Sequence, residues 1–162
     1  MIIITFELYP QSGQDDNPKE YSIIDELIDE SWTGSGTLMG QEAIFSMDWQ
    51  RVLGNKFIKL EFQNERKTKD NEPIVFRATA FYKFVNDSTV VGNWFDNRGI
   101  TFPLKGNIRE NELTIKWGDD ETEKGKTIYY FIKDNNKVVV EDFVMTNDKY
   151  FKFGNATYFT KD

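Results

Sequence analysis

Cysteine and histidine are both absent from this chain. Without cysteine there can be no disulfide and no thiolate metal site. Without histidine the commonest general base, zinc ligand and proximal haem ligand are missing as well. No Ser/His/Asp or Cys/His constellation can be assembled, and no cofactor is expected, neither haem nor zinc. Positive charge is also scarce. Lys and Arg number 20 against 27 Asp and Glu, a net charge of −7. A nucleic-acid binder needs a basic patch to displace counterions. The one local basic run, Arg66, Lys67 and Lys69, is flanked by Glu65 and Asp70 and reads as a solvated loop. No nucleic acid and no membrane surface are expected as partners. Long hydrophobic runs are missing too: nothing approaches the roughly 18 apolar residues of a membrane span. The apolar start, Met1 to Tyr9, carries Glu7 and lacks both a positive n-region and a small-residue cleavage site, so it does not read as a signal peptide. A cytoplasmic location is the expectation.

What is present is a chain of 162 residues, a length that suits one domain able to bury roughly 70% of its unfolded surface. Residues 10–20 are the most loop-like stretch and separate an N-terminal extension, residues 1–20, from one domain over residues 21–162. Pro18, with Asn17 before it, suits a first helical turn. Ile23, Ile24, Leu27 and Ile28 then recur at helical spacing, which predicts a short helix over 18–29. From Trp32 the period falls to two. Ile58, Leu60 and Phe62 alternate with Lys59, Glu61 and Gln63. Ile100, Phe102, Leu104, Gly106 and Ile108 alternate with Thr101, Pro103, Lys105 and Asn107. Such alternation marks strands with one buried and one wet face. Turn signals such as Gly40-Gln41, Gly54-Asn55, Asn97-Arg98-Gly99 and Asn147-Asp148 separate ten predicted strands, near 32–39, 43–53, 56–64, 73–85, 88–96, 99–108, 112–118, 126–133, 137–146 and 149–160. An open sandwich would leave two exposed edges, and closure removes them. The fold class expected is all-β: a closed antiparallel up-and-down β-barrel of about ten strands with one short N-terminal helix.

Two stretches carry a family resemblance. Trp32-Thr33-Gly34-Ser35-Gly36 follows the helix and opens the first strand. Gly92-Asn93-Trp94-Phe95-Asp96-Asn97-Arg98-Gly99 leads to Pro103-Leu104-Lys105-Gly106, Leu113 and Trp117-Gly118. This order resembles the lipocalin-like (calycin) barrels of bacteria, in which a W-x-G-x-G opening precedes a Trp-Asp-x-x-Gly hairpin. Those barrels are similar in shape to fatty-acid-binding proteins and to the haem-binding nitrobindins. The resemblance implies a cavity for a small, apolar molecule. A haem role does not carry over, since nitrobindins hold iron through histidine.

The candidate ligand-binding residues are Arg51, Trp49, Tyr82, Trp94, Trp117, Tyr130, Asp142 and Tyr158; no catalytic or metal-ligating residue stands out. The aromatics, 14 Phe, 7 Tyr and 4 Trp, suit either a stacking cavity or ordinary barrel packing, with Trp32 read as a plug at the barrel bottom. Arg51 shares a face with Phe45, Met47 and Trp49, and Asp142 with Val138, Val140 and Val144. A buried charge needs a partner or a ligand, so the two either pair with each other or Arg51 anchors a ligand carboxylate, helped by the tyrosine hydroxyls. Arg77 is expected to point outward. The glycines of residues 34–36 lack the strand-before, helix-after setting of a phosphate loop, and close backbone approach explains them better. Asp119-Asp120-Glu121-Thr122-Glu123 lacks the spacing of a calcium loop and reads as a hairpin tip. The apolar residues Tyr129, Phe131, Val139, Phe143 and Met145 suggest a second apolar face over 126–146 and self-association as a homodimer, with residues 2–8 adding to an edge. Three functions follow: a non-enzymatic binder of a small hydrophobic or amphipathic molecule, a small lyase or decarboxylase in the same cavity, or an interaction module with a filled core. A cavity opening at the end opposite the helix, with Trp49, Trp94, Trp117 and Tyr130 as its wall and Arg51 as its anchor, is the site expected.

Overall fold

The structure, a computed structural model, describes residues 22–68 and 70–161. The expected extension over residues 1–20, with its edge strand and the Asn17/Pro18 cap, lies outside them. The first described element is a single helical turn, α1 (Ile23–Leu27). Ser22 is extended and serves as its N-cap, and its backbone N–H reaches the Asp25 carboxylate at 3.4 Å. The described helix is this one turn from Ile23, and positions 18–21 of the expected helix lie outside the described residues. Ten strands follow: β1 (Ser31–Leu38), β2 (Gln41–Val52), β3 (Phe57–Lys67), β4 (Pro73–Asn86), β5 (Thr89–Asp96), β6 (Thr101–Arg109), β7 (Glu112–Trp117), β8 (Gly125–Ile132), β9 (Lys137–Thr146) and β10 (Lys149–Thr160). Each pairs antiparallel with its sequence neighbour, and β1 pairs with β10, so the sheet closes into a barrel.

The period-two pattern decides what faces inward. In β6 every second residue, from Phe102 through Leu104 and Gly106 to Ile108, is buried, and its neighbours are exposed. Turns fall where glycine and asparagine tolerate positive φ, at Gly40 (φ 77°), Gly54 (65°), Gly99 (82°) and Asn147 (51°). The β3 ladder continues past the expected end at residue 64, because Glu65, Arg66 and Lys67 still pair with Val75, Ile74 and Pro73 of β4. Arg66 and Lys67 are thus strand residues, not part of a solvated loop. In β8 the inward face is Thr127, Tyr129 and Phe131, while Tyr130 looks outward. Both faces of this strand are apolar, so alternation alone does not choose between them. The ladder with β9 sets the choice, placing Tyr129 beside Val140 and Phe131 beside Val138. On the outer face Lys126 stands over the Phe143 ring at 4.9 Å and the Tyr150 ring at 4.6 Å, which covers part of the apolar strip expected there.

One end of the barrel is sealed. α1 lies against β6, β7 and β8, and Ile23, Leu27, Trp32, Leu113 and Val138 are almost wholly removed from solvent. The Trp32 indole N–H points to the Leu27 carbonyl at 3.4 Å, and its ring meets Phe131 edge-on. Closure at the seam depends on small residues. A Cβ at Gly34 would lie 2.2 Å from the Thr157 carbonyl oxygen, and one at Gly36 would lie 2.0 Å from that of Asn155. Gly36→Ala is expected to cost about 1–3 kcal/mol by forcing the seam apart. Gly40→Asn, at a turn where nothing lies within 4 Å, should stay within about 1 kcal/mol. Urea denaturation compares the two directly, and equal losses would contradict this account of the seam.

Candidate functional site

Above the plug the described residues leave the barrel unfilled. A cavity of about 230 Å³ occupies the half opposite α1, lined among others by Phe45, Phe62, Phe76, Trp94, Phe102 and Trp117. Alternation in β2 to β7 delivers these rings to one interior. Phe76 and Trp94 stack at 6.3 Å, Phe62 meets Trp94 at 5.8 Å, and Phe102 meets Trp117 at 5.5 Å. Trp117 has room because β8 begins with Gly125, where a Cβ would strike the indole at 2.1 Å.

Polar groups converge on this apolar wall from two sides. On the β8–β10 side lie Thr127, Tyr129, Asp142 and Tyr158, with Tyr82 from β4. The Thr127 hydroxyl donates to Asp142 Oδ1 at 2.6 Å. Removal from water pushes the Asp142 carboxyl up to about 6, partly offset by that hydrogen bond. Burial raises Tyr82, Tyr129 and Tyr158 well above the usual tyrosine value, and the Asp142 charge adds to the rise for Tyr129 and Tyr158. All three stay neutral hydroxyls at physiological pH.

On the opposite wall β3 contributes Asn64 and Arg66. Asn64 is 4% exposed, and its Oδ1 has no hydrogen-bond partner among the described residues. Among the described residues Arg66 Nε is likewise buried without a partner, and Nη1 reaches the Met39 sulfur at 3.4 Å. A second arginine at the mouth, Arg98, is already engaged: its guanidinium meets Asp96 Oδ2 at 2.7 Å and lies over the Phe76 ring at 5.3 Å. Burial works against the Asp96 charge, but hydrogen bonds from the Arg98 side chain and backbone, its positive charge and the Ile100 N–H together hold the carboxyl below its ordinary value.

The structure brings Tyr82, Trp94, Trp117, Asp142 and Tyr158 to one cavity. Trp49 lies outside the lining. It is 1% exposed, stacked on Tyr82 at 5.7 Å and edge-on to Tyr129, and so supports the lining rings from behind. Arg51 and Tyr130 lie elsewhere. Arg51 has the parity of Trp49 but sits at the sealed end, where it pairs with Asp25 at 3.3 Å on the surface; it forms no pair with Asp142. Tyr130 is on the outer face for the register reason given above. The hydrophilic run that concealed Arg66 carried a usable signal, since Ile58, Leu60, Phe62, Asn64 and Arg66 keep strict alternation. Arg77 is exposed and donates to Gln63 at 2.9 Å. The acidic hairpin tip is closed by its own contacts, Asp119 Oδ1 accepting from the Glu121 N–H and the Thr122 hydroxyl.

The sequence matches no protein-family model and no curated protein. Among solved structures the barrel is similar to the crystal structure of Rv2717c from M. tuberculosis, with a TM-score of 0.61 and 12% identity over 86% of this chain and 95% of that one. At that identity the likeness concerns the fold: a closed antiparallel ten-stranded barrel. Among the described residues no helix is long and apolar enough to cross a membrane.

The raised carboxyl has a consequence for stability. Its folded value of about 6 lies above the ordinary 3.8. Its proton therefore stabilises the fold fully below pH 4, and that contribution is lost as pH rises through 6. At pH 8 the buried charge should cost about 2–3 kcal/mol. Asp142→Asn keeps an acceptor for Thr127 and removes the charge. Urea midpoints should rise for the variant at pH 8 and barely change at pH 4, and an equal shift at both would contradict the assignment.

Proposed function

We propose that the barrel is a non-enzymatic binder of a small hydrophobic or amphipathic molecule, held in the cavity opposite α1, and that it belongs with the lipocalin-like, calycin-type barrels. The observation that carries the reading is a space of about 230 Å³ walled by aromatic rings and open beside two arginines. Binding sites commonly take this form, an apolar pocket with a few convergent polar groups. A module with a filled core fits less well, because the described residues do not pack the interior above Trp49 solid. Asp142 supports a second reading. A carboxyl with a value of about 6 beside Tyr129 and Tyr158 suits proton transfer near neutral pH, as a small lyase or decarboxylase would need. Turnover of a bound aromatic acid, lost in Asp142→Asn with binding retained, would establish that reading.

Calorimetric titration with the neutral probe 2-naphthol tests the cavity itself. One saturating site per barrel is expected. Trp94→Ala should weaken it by roughly ten-fold through lost stacking and area. Arg51→Met, at the sealed end, should leave it within about two-fold. No saturable binding to the wild type would contradict the proposal.

A further inference from the structure

The lining says more about the occupant than that it is apolar. Three features bear on its class: the size of the cavity, the shape of its wall, and the state of its charges.

The volume is about 230 Å³. It lies below the roughly 300–1,000 Å³ of pockets that take drug-sized ligands. That size favours a compact ligand over a long acyl chain or a tetrapyrrole. The wall is made of flat faces, with Phe62, Phe76 and Trp94 on one side and Phe102 and Trp117 on another. Such faces suit a planar ring in offset or edge contact.

The charges are unequal in their availability. Arg98 is neutralised by Asp96. Asp142 has the Thr127 hydroxyl as a partner, and the other lining carboxylate, Glu123, lies within reach of the Arg98 charge. Arg66 meets no carboxylate among the described residues, and its Nε is buried without an acceptor beside the equally unpartnered, 4% exposed Asn64. Buried N–H groups normally have acceptors, and leaving one unpaired costs stability. The guanidinium fork fits a carboxylate in two parallel hydrogen bonds, and Asn64, two residues deeper on the same face, can accept from a hydroxyl or N–H on the same molecule.

We infer that the ligand is a compact aromatic acid, of one ring or two fused rings, whose carboxylate is bound by Arg66 at the mouth and whose ring lies against Trp94 and Trp117. This rests on the cavity reading above and narrows it to one ligand class.

Titration with 2-naphthoate and 2-naphthamide, matched in size and differing in charge, tests the inference, with 2-naphthol as the neutral reference. Wild type should prefer the acid to the amide by roughly ten- to a hundred-fold, as a charge-assisted contact implies. Arg66→Gln should abolish that preference, leave 2-naphthol binding intact, and thereby show that the variant is folded. Arg66→Lys should keep part of the preference. Hexadecanoate should fail to displace 2-naphthoate. Equal binding of acid and amide to wild type, survival of the preference in Arg66→Gln, or displacement by hexadecanoate would each overturn the inference while the cavity stands. Failure of 2-naphthol as well would remove the cavity reading on which it rests.

Discussion

The pairing of β1 with β10 is the constraint on which everything else depends. Without it, ten antiparallel strands would present two open edges and no enclosed interior. The seam runs from Trp32 opposite Thr160 to Leu38 opposite Gly154. It closes tightly because Gly34 and Gly36 place no Cβ where the β10 carbonyls stand. Once closed, the barrel has an interior that must be filled or left open at each end. Trp32, at the head of the same strand, fills one end together with α1. At the other end β1 finishes at Leu38, which lines the cavity. One strand therefore shapes the seam, the plug and the mouth.

Much of this architecture was legible in the residues. Strict alternation in β6 and the Gly and Asn turns marked strands and hairpins closely, because a half-buried strand and a positive φ each leave a local signature. The less legible parts share a physical cause. β8 is apolar on both faces, so its parity was open until β9 supplied the register, and Tyr130 changed sides. Arg51 has inward parity but stands at the sealed end, beside Asp25. Periodicity says which way a side chain points, but not how far along the barrel axis the plug ends and the cavity begins. Arg66 is hidden among charged neighbours because its hydrophilicity looks like a loop, although the ladder to β4 runs three residues beyond the expected strand end.

The interior is electrostatically divided. On one wall a carboxyl with a raised value and three un-ionised tyrosines make a surface that is polar yet close to neutral in mild acid. On the other, Arg66 meets no carboxylate among the described residues, two positions along the strand from Asn64, whose buried Oδ1 has no partner there either. Between them the rings exclude water, and exclusion strengthens whatever the arginine meets. In a chain of net charge −7, a cation in the cavity wall that meets no carboxylate among the described residues is a local exception to the protein's overall field, and it favours an anion by contact rather than by long-range steering.

The molecule has one end sealed by the plug and one end that opens into the cavity. The four tryptophan indole N–H signals in a proton–nitrogen correlation spectrum report on both ends at once, since Trp94 and Trp117 line the cavity while Trp32 lies in the plug. Titration with a small aromatic ligand is expected to move the Trp94 and Trp117 signals in a saturable manner and leave Trp32 in place. Movement of Trp32 with Trp94 and Trp117 unchanged, or no movement of any of the four, would contradict the account.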